Sequence, residues 1–124
     1  MDEFFECDAT GLSEYIKTGQ VAAVDMLRAS VARAERLNPS LHAVVNFNTP
    51  HAEKLLAATA LNTPLFGVPT LLKDLGAEAI NFPSHNGSRL YQDTVYSYDS
   101  TIFQRIRETG LIPYARTTSP ELGI

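Results

Sequence analysis

An α/β fold with helices around a mixed sheet is predicted by three observations. Short apolar runs alternate along the chain with segments of helical periodicity, the pattern of strands interleaved with helices. Residues 66–72 are apolar on both alternations apart from Thr70, as in a strand covered on both faces. Val24, Leu27, Val31 and Ala34 recur at three and four residues, which makes one apolar helical stripe. At 124 residues and 44% hydrophobic content the chain has a one-domain length and material for a modest core. Three strands are expected, few for such a fold.

Taken in order, Asp8 caps a short helix over 9–18 with Leu12, Tyr15 and Ile16 on one side and Gly19 as its stop. A second helix over 22–37 carries the stripe, and Asn38-Pro39-Ser40 ends it. Residues 41–47, with Val44, Val45 and Phe47, read as a strand. Thr49-Pro50 turns into a third helix over 50–61, which Asn62-Thr63-Pro64 breaks. After the strand 66–72, residues 76–97 lapse into Gly, Asn, Pro, Ser and Tyr, too long for an ordinary connection and so a functional or a mobile loop. Asp99 caps a helix over 100–109 whose buried side is Ile102, Phe103 and Ile106, with Gly110 as its stop. Residues 111–115 form the last strand, and Pro113, lacking a donor, places it at an edge or makes it irregular there.

The net charge of −4 and the absence of a basic cluster exclude nucleic acid or an anionic membrane as the main partner. No apolar run approaches a membrane span, and the acidic Met1-Asp2-Glu3-Phe4-Phe5-Glu6 differs from the basic start of a secretory leader. With a single cysteine, Cys7, this indicates a cytoplasmic location. Cys7 has no nucleophile context and reads as a small apolar residue. His42 and His51 fall in different elements without the spacing of a zinc pair, so no metal site is expected. Ser84-His85 near Asp93 has the residue types of a serine triad, but sequence adjacency is not triad geometry.

Lys73 emerges where the 66–72 strand ends, at the rim of the core, and Asp74 follows at once. Two readings stand. The ammonium snorkels to water and pairs with Asp74 or another carboxylate, or the lysine is kept partly desolvated so that its neutral amine acts as a base.

Gly67-Val68-Pro69, Lys73-Asp74, Gly87-Ser88, the helix from Asp99 to Gly110, and Arg116-Thr117-Thr118-Ser119-Pro120-Glu121 together resemble the amidase signature family. Its pattern is Gly-x-Pro, three mostly apolar residues and Lys-Asp, then a Gly-Ser loop, a helix and Lys-Thr-Asn-x-x-Glu. The wording Leu71-Leu72-Lys73-Asp74-Leu75 most resembles the branch of 6-aminohexanoate cyclic dimer hydrolases and aryl acylamidases. Arg116 stands where the pattern has lysine and Thr118 where it has asparagine, which puts any hydrogen-bond role of that asparagine in doubt.

The resemblance implies hydrolysis of a small-molecule amide through an acyl-enzyme, by a serine nucleophile, a second serine preceded by a cis peptide bond, and a lysine. Lys73 maps onto that lysine, and its role needs the neutral amine. No metal or organic cofactor is implied. The family's Gly-Ser loop lies beside the substrate, so Gly87 and Ser88 are candidate substrate-binding residues; a plain turn at Asn86-Gly87-Ser88 is the alternative. Both family serines lie downstream of the Thr117 to Glu121 motif, in a segment these 124 residues do not contain.

The expectation is therefore the N-terminal portion of an amidase domain over 1–124, helical over 1–38, with a strand and helix core over 41–124 and no second domain. It would be a fragment, a truncated product or one part of a split enzyme, inactive alone and partnered by the missing C-terminal part. A non-catalytic binding or assembly module derived from an amidase is the competing reading.

Overall fold

The computed structural model describes residues 6–124, so the acidic start at 1–5 lies outside the described residues. Four helices and three strands follow in the order α1 (Ala9–Lys17), α2 (Ala23–Leu41), β1 (Val44–Val45), α3 (Thr49–Ala57), β2 (Pro69–Lys73), α4 (Thr101–Glu108) and β3 (Ile112–Thr117). The sheet order is β1-β3-β2, with β1 antiparallel and β2 parallel to β3. The sheet is mixed, as the alternation of elements implied, and β2-α4-β3 is a parallel crossover.

Asp8 caps α1 by accepting the Gly11 N–H at 2.7 Å. The helix buries Leu12, Ser13 and Ile16. Leu12 and Ile16 pack with Val21, Met26 and Val68 into a first cluster, against which Cys7 is half-buried. A second cluster joins Leu27 and Val31 of α2, Ala52 of α3, and Ile112, Tyr114 and Ala115 of β3. The stripe on α2 is thus a core face, and Met26 adds a second buried side that its spacing did not disclose. Each such fully buried aliphatic side chain contributes about 1.5–3 kcal/mol. A third cluster, Leu72, Ala79, Phe82 and Phe103, lies beneath the loop that follows β2.

Several boundaries differ from expectation. α2 runs through Pro39 to Leu41. A proline in the last turn forfeits one helical hydrogen bond without blocking the turns before it. The helix stops at His42, which is left-handed at φ 50°, while Asn38 accepts the N–H groups of Ala43 and Val44 and donates to the Val44 carbonyl. With Leu41 in the helix and Asn46 at φ 52°, β1 keeps two residues of the expected seven. β2 begins at Pro69 because Gly67, at φ 76°, turns the chain before it. It is also an edge strand and only partly covered, contrary to its unbroken apolar pattern. Ser100 caps α4 by accepting from Phe103, while Asp99 accepts instead from the Ile80 N–H at 2.9 Å. On α4, Phe103 is buried and Ile102 is exposed.

β3 is the central strand, so Pro113 is not at an edge. The irregularity it imposes is real. Thr70 pairs with Pro113 and Leu71 with Ala115, which leaves Tyr114 as an extra residue on β3. Gly110, at φ 92°, lets the turn from α4 into β3 close on the 63–67 segment, since a Cβ there would lie 2.2 Å from the Thr63 hydroxyl.

Candidate active site

β2 carries Lys73 to the point where the strand ends, and its side chain is exposed at the rim of the sheet. Among the described residues no hydrogen bond or ion pair engages its ammonium. Asp74 turns the other way. Its carboxylate is buried, and its two oxygens accept the N–H groups of His85 at 2.7 Å and Gly87 at 3.0 Å. Its own N–H continues the parallel ladder to the Thr117 carbonyl at 2.8 Å. Asp74 is thus a clasp between the strand end and the 84–88 loop; the ion pair with Lys73 that one sequence reading allowed is not formed, and the partial desolvation that the other expected is not present among the described residues, since Lys73 is exposed.

The loop is fixed from its other side by the segment after β3. The Ser88 hydroxyl donates to the Glu121 carboxylate at 2.7 Å and accepts the Leu90 N–H at 3.3 Å. The Asn86 carbonyl accepts the Leu122 N–H at 2.8 Å. Gly87, at φ 63°, passes so close to Ser119 that a Cβ would stand 2.3 Å from its carbonyl oxygen, so no other residue fits. Lys73 and Thr117 are register partners in the sheet. Lys73, Asp74, Gly87, Ser88, Thr117 and Glu121, up to 48 positions apart in sequence, therefore meet at one end of β2 and β3. Ser84, His85 and Asp93 form no triad. The Ser84 hydroxyl donates to Asn86 at 3.1 Å, its carbonyl accepts from Tyr96, and the His85 ring meets Asn46 at 3.3 Å. Burial, followed by the charge of Glu78, raises the Tyr96 phenol above its ordinary pKa.

Arg116 is the residue that sequence reading missed. It is completely buried, and no ion pair engages it among the described residues. Its five N–H donors are all used on backbone carbonyls: Nε and Nη2 on Phe82, Nη1 on Lys73 and Gly76, and Nη2 also on Ala77. Burial pulls this guanidinium below its ordinary pKa, against the opposing pull of Asp74, Tyr96 and Glu78. A signal existed only in part: the strand runs on past Ala115, and Arg116 pairs with the buried Leu72 on the face opposite Ile112 and Tyr114, because the extra residue at Tyr114 breaks the alternation. Ending the strand at Ala115 concealed it.

No group of three metal-ligating side chains is assembled among the described residues, and none of their helices is long and apolar enough to cross a membrane. A groove of about 420 Å³ lies between α2 and β2, lined by Leu37, Leu41, Val44, Leu71 and Tyr114 among others, and not by Lys73 or the 84–88 loop.

Residues 25–124 match the Amidase family. The chain is 32% identical to the 6-aminohexanoate-cyclic-dimer hydrolase of Paenarthrobacter ureafaciens over 94% of its own length and 24% of that protein's. Among solved structures, a bacterial aryl acylamidase of the amidase signature family superposes with a TM-score of 0.83 at 26% identity, over 94% of this chain and 26% of the other. The peptide amidase of Stenotrophomonas maltophilia superposes with a TM-score of 0.81, also at 26% identity, over 94% of this chain and 25% of the other. The chain spans about a quarter of the length of the curated relatives it matches. Sequence match and superposed fold agree over nearly all of the described residues, and the chain belongs to the amidase signature family.

Proposed function

We propose that this chain supplies the lysine-bearing section of an amide hydrolase that works through a Ser-cis-Ser-Lys relay, both serines lying outside its 124 residues. The observation that carries the reading is Lys73 itself: an exposed amine at a strand end, not engaged by the described residues, beside a loop whose backbone is fixed on two sides. A relay lysine needs a fixed backbone and an uncommitted nitrogen.

In this mechanism the neutral Lys73 amine takes a proton from the bridging serine as that serine takes one from the nucleophile. The nucleophile attacks the amide carbonyl, and backbone N–H groups near it stabilise the oxyanion. The proton returns through the same relay to the leaving amine, and water then cleaves the ester. Gly87 and Ser88 border the substrate, with Glu121 holding the Ser88 hydroxyl. Hydrolases for cyclic amides and aryl amides among the relatives favour a small carboxylic amide as substrate, and the half-buried single cysteine suits the cytoplasm.

The test is fluorophosphonate labelling of the full-length protein, which reports an activated serine whatever the substrate. One serine is expected to label, and Lys73→Ala is expected to slow labelling by about 10²- to 10⁴-fold, the usual contribution of general-base catalysis. Since Lys73 is exposed, the substitution should leave the thermal midpoint nearly unchanged. Labelling of Lys73→Ala at the wild-type rate would overturn the reading, as would an absence of labelling in the wild type. Labelled wild-type protein can then be assayed on 4-nitroacetanilide and on linear and cyclic amides of 6-aminohexanoate.

A further inference from the structure

Arg116 uses every donor it has on the ten residues that begin with Lys73. Its contacts at Lys73, Gly76, Ala77 and Phe82 run from 2.6 to 3.0 Å, and the residue has no exposed surface. Taking a cation out of water costs several kcal/mol unless its hydrogen bonds are replaced. A neutral residue would fill the same space without that cost, so the structure has here a use for a guanidinium. Hydrogen-bond donors pointing in five directions can gather carbonyls that have no reason to converge by themselves.

Carbonyls of one turn repel each other when they point at a common centre. The first of the four is that of Lys73. Register partners across the parallel pair are Leu72 with Arg116 and Lys73 with Thr117, so by strand alternation the Lys73 side chain lies on the face of the sheet opposite Arg116. The guanidinium therefore reaches the lysine through its backbone alone, at 2.6 Å from the carbonyl oxygen. The Thr117 carbonyl, one residue on, receives the Asp74 N–H at 2.8 Å. Two bonds from adjacent residues of β3 thus grip the carbonyl and the N–H of one peptide group, the one that joins Lys73 to Asp74.

We propose that Arg116 is a positioning residue for the Lys73 amine. By binding the Lys73 carbonyl and folding the 76–82 turn back onto it, the guanidinium fixes the direction in which the lysine leaves the strand, without touching substrate or the reacting atoms. The inference rests on the reading of Lys73 as the relay base. It goes further in assigning the arginine, a departure from the lysine of the family pattern, to the geometry of that base.

The test compares Arg116→Lys and Arg116→Gln in the full-length protein with wild type and Lys73→Ala, by the rate of fluorophosphonate labelling at saturation and by the probe's half-saturating concentration. A lysine keeps the charge and can reach one or two of the carbonyls; glutamine drops the charge that makes burial costly, so the two variants strain the fold in different ways. The expected result is a fall of about 100-fold in the saturated rate for Arg116→Gln, the cost of displacing a reacting group by about 1 Å. Arg116→Lys should recover part of it, and half-saturation should move less than about threefold in either. A merely structural arginine would lower the thermal midpoint and the fraction of labelled protein but leave the rate per folded molecule at the wild-type value. That outcome, or failure of both variants to fold, overturns the proposal. If Lys73→Ala labels like wild type, the relay reading fails instead, and the two failures are told apart by that control.

Discussion

Asp74 shows how much a single carboxylate can organise. It stands next to a lysine in sequence, yet spends both oxygens on the N–H groups of His85 and Gly87. Asp74→Asn keeps the shape but turns one acceptor into a donor that faces a donor. An unsatisfied buried pair of this kind costs about 1–3 kcal/mol. The expected outcome is a fall of that size in unfolding free energy by urea titration, and a midpoint equal to wild type would show that the clasp is not formed in solution. Lys73 and Asp74 were legible in the sequence because a charged pair ending an apolar run is conspicuous. Arg116 was not, since its partners are carbonyl oxygens that every residue carries and only the turn of the chain brings together. The Ser88 to Glu121 bond was hidden for another reason: it joins two loops, where no periodicity marks a contact.

Helix caps and prolines explain most of the differences at the level of elements. Asn38 reads as a breaker, but its side chain serves the backbone beyond the helix, so α2 lengthens and β1 shrinks. Two candidate caps stand together before α4, and Ser100 takes the role because Asp99 is committed to Ile80. Glycines at the helix ends differ in a way that can be measured. Gly19 and Gly110 both have positive φ, with open space around the first and contacts at 2.2 and 2.9 Å waiting for a Cβ at the second. Gly19→Ala should cost about 1–2 kcal/mol from the left-handed backbone alone. Gly110→Ala should cost about 1–3 kcal/mol more, through overpacking. Equal losses in denaturant titrations would contradict the packing of the α4 to β3 turn.

β3 also carries a titration. Burial raises the Tyr114 phenol above its ordinary value of 10.0, so the fold favours the neutral form. The stabilisation is fully present below pH 10.0 and is lost as pH rises through that value and then through the folded one. The stability of wild type relative to Tyr114→Phe should therefore be flat below that point and fall above it. A flat difference throughout would mean that the phenol is solvated.

Large apolar side chains and a strand edge stand exposed at the scale of the whole molecule. Leu90, Val95 and Ile124 are more than four-fifths exposed, and β2 offers an unpaired strand edge. The isolated 124-residue chain is expected to self-associate, with a sedimentation-average mass that climbs with concentration; a monomer at every concentration would contradict this. The α/β class was legible because alternation of periods survives errors of several residues at each boundary. The position of β2 within the sheet was not, because an unbroken apolar run looks the same whether its covering elements are present or not.

The extra residue beside Pro113 decides something larger than a local kink. Without Tyr114 bulged out, Lys73 would pair with Arg116 instead of Thr117, and two cations would share one face of the sheet. One surplus residue reverses the parity of every pair beyond it. A proline that cannot complete a ladder thereby sorts the two positive charges of the site, one toward the interior and one toward the solvent.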